Sequence, residues 1–183
     1  MSRYMYHGTN VVINEIILEK SRLRTDFGKG FNLTDSYETA QNWAARRVST
    51  VGGIATIMRY EISNDVYGLP GKRFESVPSY EWLDFIVMNR KRNTAGDPTS
   101  EPRHAYNWVS GPIADDKIAD VVENYLAGEI NAEEAIALAR ALPQVFQLSL
   151  HTRFSLDAID ESIVQIKQFK NGKWSKNWMA KQR

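Results

Sequence analysis

The chain has 183 residues, 43% hydrophobic and 25% charged, with a formal net charge of +1; that is enough for one ordinary globular domain with its own core. The complete absence of cysteine excludes disulfides, a thiolate nucleophile and a cysteine-ligated zinc. No window nears the ~18 apolar residues of a membrane span, and Met1-Ser2-Arg3-Tyr4 enters an apparent strand without an apolar signal stretch, so a soluble cytoplasmic protein with no membrane partner is expected.

Arg3 to His7 reads as a first strand that ends at Gly8, and Gly30 to Leu33 as a second after a glycine-rich turn. Asp35, with Glu38 three residues on, has the form of a capping box opening a helix that turns Trp43 to the core. Ile54 to Ile62 predicts a strand, Pro70-Gly71 a turn, and Ser79 onward an amphipathic helix carrying Trp82, Leu83, Phe85, Ile86 and Asn89. Arg90-Lys91-Arg92 falls near its C-terminal dipole end. Asn93 to Arg103 reads as a loop, and Tyr106 to Val109 as a short strand.

Asp115 or Asp116 caps an expected helix to Ala127, with Gly128 in the C′ position. Asn131 with Glu134 forms a second capping box for a helix reaching Leu142 before Pro143. Val145 to Leu150 and Ile163 to Phe169 predict strands, and Asn171-Gly172 a tight turn. Strands at the beginning, middle and end with helices between them make a single mixed α+β domain over 1–183, with a basic tail from about 165 to 183.

Charge is unevenly distributed. Asp115, Asp116, Asp120, Glu123, Glu129, Glu133 and Glu134 face only Lys117 in their stretch, while Lys167, Lys170, Lys173, Lys176, Lys181 and Arg183 follow with no acid among them. Such asymmetry marks either a polyanion-binding face or ordinary solvated surface.

His7, His104 and His151 are too scattered to suggest a metal site, and no HExxH, P-loop or Rossmann fingerprint is present. Gly28-Lys29-Gly30 alone reads as a turn. Together, however, Tyr6-His7-Gly8-Thr9 and Asp26-Phe27-Gly28-Lys29-Gly30-Phe31-Asn32-Leu33-Thr34 resemble the ADP-ribosyltransferase superfamily in its diphtheria-toxin-like branch. That branch has a histidine-glycine strand, a Gly-Lys-Gly-hydrophobic-Tyr strand, and a Glu, Asp or Gln opening a later strand. Gln147, at the head of Gln147-Leu148-Ser149-Leu150-His151-Thr152, matches the third position. The likeness is closest to small bacterial toxin-like members encoded with partner genes, where Glu81-Trp82-Leu83-Asp84-Phe85-Ile86, Asn89-Arg90 and Gly111-Pro112-Ile113-Ala114-Asp115-Asp116 also look familiar. It covers most of residues 4 to 152.

The resemblance implies an α+β ADP-ribosyltransferase-like fold, two small packed, mostly antiparallel sheets with flanking helices around an NAD cleft. NAD is then the co-substrate. It also implies that His7 bonds the adenosine ribose, that the Gly8 backbone pairs with the nicotinamide carboxamide, and that Thr9 orients the strand end or a ribose. Gly30, Phe31 and Asn32 complete the NAD-binding set, with His7, Asn32 and Gln147 as the catalytic positions. Lys29, Arg22 and Arg24 are candidates for attracting the pyrophosphate, or plain surface. Departure of nicotinamide leaves an oxocarbenium-like ribose, so catalysis rests on positioning and electrostatics.

Asn32 stands where the branch has a tyrosine whose ring stacks on nicotinamide, and Gln147 cannot act as a carboxylate base. The first departure implies weak NAD binding, a substitute ring from Phe31, Trp43 or Tyr37, or a change that disarms a toxic enzyme. The second favours mono-transfer over polymer elongation and leaves acceptor deprotonation to another group, with Glu81, Asp115 and Asp116 as the acids to test. Three functions follow. One is a mono-ADP-ribosyltransferase toxin or defence effector held by an antitoxin. Another is a catalytically weak NAD- or ADP-ribose-binding module. The last is a nucleic-acid-binding protein that stacks Trp174 and Trp178 on bases. The basic tail and the Arg90 to Arg92 cluster tilt the acceptor toward RNA or DNA.

Overall fold

A computed structural model describes residues 2–90, 104–114 and 117–181. Its strands are β1 (Ser2–Thr9), β2 (Phe31–Thr34), β3 (Thr56–Ser63), β4 (Gly71–Arg73), β5 (Trp108–Pro112), β6 (Phe146–Leu150), β7 (Gln165–Lys170), β8 (Lys173–Trp174) and β9 (Met179–Ala180). The helices are α1 (Tyr37–Val51), α2 (Tyr80–Arg90), α3 (Lys117–Ala127), α4 (Ala132–Arg140) and the one-turn α5 (Arg153–Leu156). The strands pair in the order β4-β5-β6-β2-β1-β3-β7-β8, with β9 also on β7. Every pair is antiparallel except β4 with β5. The mixed α+β class is as the sequence implies, and among the described residues no helix is long and apolar enough to cross a membrane.

Two separate sheets were expected; the pairings instead form one path, because β1 stays joined to β2. That joint is narrow. β1 aligns with β3 along its whole length, from Ser2↔Ser63 to Thr9↔Thr56, but meets β2 at Tyr6↔Thr34 alone. The same register would set Gly8 against Asn32, yet the ladder does not continue there. Strand alternation sends Met5, Met58, Tyr60 and Ile166 from one side of the joint, and Phe31, Leu33, Leu148 and Leu150 from the other, into a shared core. A second core gathers Phe74, Val109 and Ile113 against Trp82, Leu83 and Ile86 of α2, Ile118 and Val122 of α3, and Ile136 of α4.

Helix α1 begins one residue later than its sequence signal. Ser36, not Asp35, is the N-cap, its hydroxyl accepting from the Thr39 N–H at 3.1 Å. The Asn131–Glu134 capping box forms as expected, although α4 stops at Arg140 rather than Leu142. Asn171 and Gly172, with φ of 52° and 76°, close the tight β7–β8 hairpin. The strand expected over Ile163 to Phe169 is β7, which covers the edge of β3 that β1 leaves open, and the basic segment adds the short β8 and β9 to it.

Gly8 sits where α1 crosses β1. A Cβ there would lie 2.0 Å from the Ala40 carbonyl oxygen and 3.0 Å from the Ala44 nitrogen, both backbone atoms that cannot swing aside. Helix packing therefore demands this glycine, whatever ligand approaches it. Gly8→Ala is expected to destabilise the fold by about 3 kcal/mol through overpacking, read as a lower denaturant midpoint at unchanged m-value.

Candidate active site

The segment from Asp26 to Asn32 turns too tightly to join the sheet until Phe31, so its buried carbonyls need side-chain partners. Asn89 Nδ2 donates to the Asp26 carbonyl at 3.4 Å and to that of Phe85 at 2.9 Å. His104 Nε2 donates to Phe27 at 2.9 Å, His151 Nδ1 to Lys29 at 2.8 Å, and His7 Nδ1 to Asn32 at 2.7 Å. All three histidines of the chain are spent on this one segment.

A carbonyl only accepts, so these nitrogens carry the proton and each neutral ring keeps a lone pair on its other nitrogen. His104 Nδ1 accepts from the Tyr106 N–H at 3.3 Å. His151 Nε2 is buried with no partner, as are Ser149 Oγ and Asn89 Oδ1. His7 Nε2 has no partner among the described residues. Burial pushes all three imidazoles below their ordinary range, only partly opposed by the carbonyl bonds. The Arg47 charge adds to this at His7. His104, edge-on to His151 at 4.6 Å, adds to it there, and His151 is pushed down to about 3.

The two glycines answer to this clamp. Gly28 has φ +82°, and a Cβ there would stand 2.8 Å from Asn89 Oδ1. A Cβ on Gly30 would stand 2.6 Å from His151 Nδ1 and 2.7 Å from Ser149 Oγ. The Asp26 carboxylate anchors the start of the segment: Oδ1 takes Arg90 Nε at 2.7 Å and Oδ2 the Ala114 N–H at 2.7 Å. Arg90 returns a bond to the Ala114 carbonyl at 2.9 Å and reaches Glu123 at 3.5 Å. This corrects the reading of Arg90 as part of a free basic cluster; Lys91 and Arg92 lie outside the described residues.

Three of the expected positions come together. Gln147, 5% exposed, donates from Nε2 to Asn32 Oδ1 at 3.2 Å, while the Asn32 carbonyl holds His7. Phe31 lies under the His7 ring at 4.7 Å and is buried in the core. Thr9 is buried opposite Thr56. Of the proposed substitute rings, Phe31 is in the core, Trp43 packs on the second core, and Tyr37 stands edge-on to Tyr6 and Trp178. Glu81 is paired with Lys72 on an exposed helix face, and among the described residues it makes no contact with this group, so the acid role expected of it has no support. Asp115 and Asp116 lie outside the described residues. Lys29 is half-buried, whereas Arg22 and Arg24 are exposed.

His104, His151, Ser149 and Asn89 were not singled out as site residues by the sequence. Their signal was present in three histidines and a Gly-Lys-Gly turn, but only the β2–β6 pairing brings them together. Among the described residues no group of three or more His, Asp or Glu is placed to hold a metal.

Residues 4–160 match the family model described as a protein of unknown function, DUF3990. The chain belongs to that family. Comparisons with curated proteins and with solved structures return no match. The matched span contains the clamp and the His7–Asn32–Gln147 group, and it ends before β7.

Acid should loosen the clamp. Each folded imidazole has a depressed affinity for protons, so below the unfolded value of about 6.5 the unfolded chain takes up protons that the folded chain refuses. The histidine contribution is therefore full above about pH 6.5 and is lost as pH falls, down to about 3 for His151. That residue alone accounts for up to roughly 1.4 kcal/mol per pH unit. Urea midpoints between about pH 7.5 and 5 are expected to fall less steeply for His151→Asn, whose amide can donate to Lys29 without titrating.

Proposed function

We propose that this protein is an NAD-dependent mono-ADP-ribosyltransferase with an ADP-ribosyltransferase-like fold, a toxin or defence effector that modifies a macromolecular acceptor and is held in check by a neutralising partner. The observation that carries the reading is the hydrogen-bonded chain His7–Asn32–Gln147. Three positions matched by resemblance, remote from one another in sequence, meet where β1 leaves β2.

The chemistry required of each residue suits what it presents. His7, with Nδ1 committed to the Asn32 carbonyl, offers Nε2 as an acceptor for a ribose hydroxyl. Gly8 lies beyond the β1–β2 joint, outside that ladder, where the resemblance puts the nicotinamide carboxamide. Gln147, its amide nitrogen on Asn32, has a carbonyl oxygen to accept from the nicotinamide ribose. The glycosidic bond breaks with its electron pair leaving on nicotinamide. The acceptor's nucleophile then bonds to the ribose carbon and gives up its proton, which an amide such as Gln147 cannot take.

One observation favours a second reading, a weakly catalytic NAD- or ADP-ribose-binding module. Asn32 has no aromatic face, and Phe31, Tyr37 and Trp43 are each packed against other groups.

Incubation with labelled NAD and cell extract separates the two. Transfer of label that disappears in His7→Ala is the expected result; binding of NAD without transfer would favour the module. Restoring the ring with Asn32→Tyr is expected to tighten NAD binding about tenfold, the lower part of the range for losing an aromatic stacking partner. An unchanged affinity in calorimetry would remove Asn32 from the site.

A further inference from the structure

We infer that the outer face of β3 and β7, with the β7–β8 hairpin, is a binding surface for single-stranded nucleic acid. The inference rests on the proposed function only in naming the bound strand as the acceptor.

The first observation is how two cations are held. Arg59 Cζ lies 4.5 Å from the ring centre of Tyr4 and 4.5 Å from that of Trp178. Lys167 Nζ lies 5.2 Å from Trp178 and 5.6 Å from Tyr37. Among the described residues neither cation has a carboxylate within ion-pair distance, and Arg59 Nε is buried without any partner. An aromatic face orients a cation but does not neutralise it. Two fixed cations, Arg59 donating also to Gln165 Oε1, therefore stand on one sheet face without an ion pair among the described residues.

The second observation is independent. The β7–β8 register sets Lys170 directly against Lys173, and both are exposed. Like charges facing across a strand pair destabilise it, so the hairpin carries an arrangement that stability alone does not favour. An anionic partner offsets it. Alternation puts Phe169 on the same face as Arg59 and Lys167, whereas Lys170 and its cross-strand partner Lys173 point to the reverse face, roughly 10 Å along the strand, so an anionic chain reaches both pairs by passing round the hairpin edge.

Rings supply the rest of the recognition. The Trp178 ring lies over Tyr6 at 6.0 Å and flanks both cations. The rings open to solvent are Tyr4, 51% exposed, and Phe169, 43% exposed, the latter beside Trp174 at 5.6 Å. Cations held on one sheet face with exposed rings beside them suit a flexible single strand, whose bases can turn out to stack. The surface also adjoins the candidate active site, since Tyr6, Thr34 and Gln147 are successive cross-strand neighbours on the same side of the sheet.

Fluorescence anisotropy with labelled oligouridylate and oligothymidylate of about 20 nucleotides, over roughly 20 to 200 mM salt, tests this. The whole chain is expected to bind both single strands more tightly than a duplex of equal length. Arg59→Gln with Lys167→Gln should weaken binding tenfold or more and reduce the log–log salt slope by about 1.4, two phosphate contacts at 0.7 each. Lys170→Gln with Lys173→Gln should weaken binding about fivefold while leaving the melting temperature unchanged or higher. Absence of binding at the lowest salt, variants within twofold of the original, or equally tight duplex binding would each overturn the inference. Strand binding without label transfer would leave the surface standing and remove the transferase reading; label transfer to protein without strand binding would do the reverse.

Discussion

The rest of the site depends on how the carbonyls of residues 26–32 are satisfied. An unpaired buried carbonyl costs about 1–3 kcal/mol, and this segment turns through two glycines before it can pair with β6. Imidazole suits the task because its neutral form brings a donor without burying a charge, unlike lysine or arginine. The clamp then dictates its surroundings. Gly30 is fixed by His151 and Ser149, Gly28 by Asn89, and the entry at Asp26 by Arg90 and the Ala114 N–H. Only with that entry fixed does β2 deliver Asn32 to both His7 and Gln147.

The joint between β1 and β2 is the complementary feature. A continued ladder would close the gap past Tyr6↔Thr34 and pair Gly8 with Asn32. Instead α1 holds Gly8 against its own backbone, and the His7 imidazole takes the carbonyl that the ladder leaves. The sheet stays connected while opening at the point where the candidate residues gather. One residue therefore serves two ends. Gly8 is required by helix packing, and that same packing sets it outside the β2 ladder.

Local signals in the sequence were legible where the physics is local. The Asn131–Glu134 box and the Asn171-Gly172 turn depend on neighbours within a few residues, and both formed. Ser36 displaced Asp35 as a cap because its hydroxyl reaches the Thr39 N–H once Thr34 and Phe146 fix the approach. The three histidines were invisible as a set, since strand pairing across more than a hundred residues decides their meeting. The scattered segments that carried the resemblance were likewise unconnected on paper; Asp26, Arg90 and Ala114 join three of them through one carboxylate and one guanidinium. The strand expected over Ile163 to Phe169 forms as β7 along the open edge of β3, whereas β8 and β9, of two residues each, are too short to show a pattern within the basic segment.

Sheet order also turns a charge pattern in sequence into one in space. The acidic residues Asp120, Glu123, Glu129, Glu133 and Glu134 belong to α3, α4 and their connection, which pack through the second core on the β5 side. The lysines of β7 and β8 stand at the opposite end of the strand order, and the β1–β2 joint lies between. A net charge of +1 hides this separation. A polyanion is attracted to one end and repelled from the other, so its approach is oriented as well as favoured. The strand nearest the basic end that also borders the candidate residues is β1, through Tyr6. In the proposed binding mode an anionic chain seated on β3 and β7 lies on the side of the sheet that carries Tyr6, Thr34 and Gln147, while His7 alternates to the reverse side with Met58.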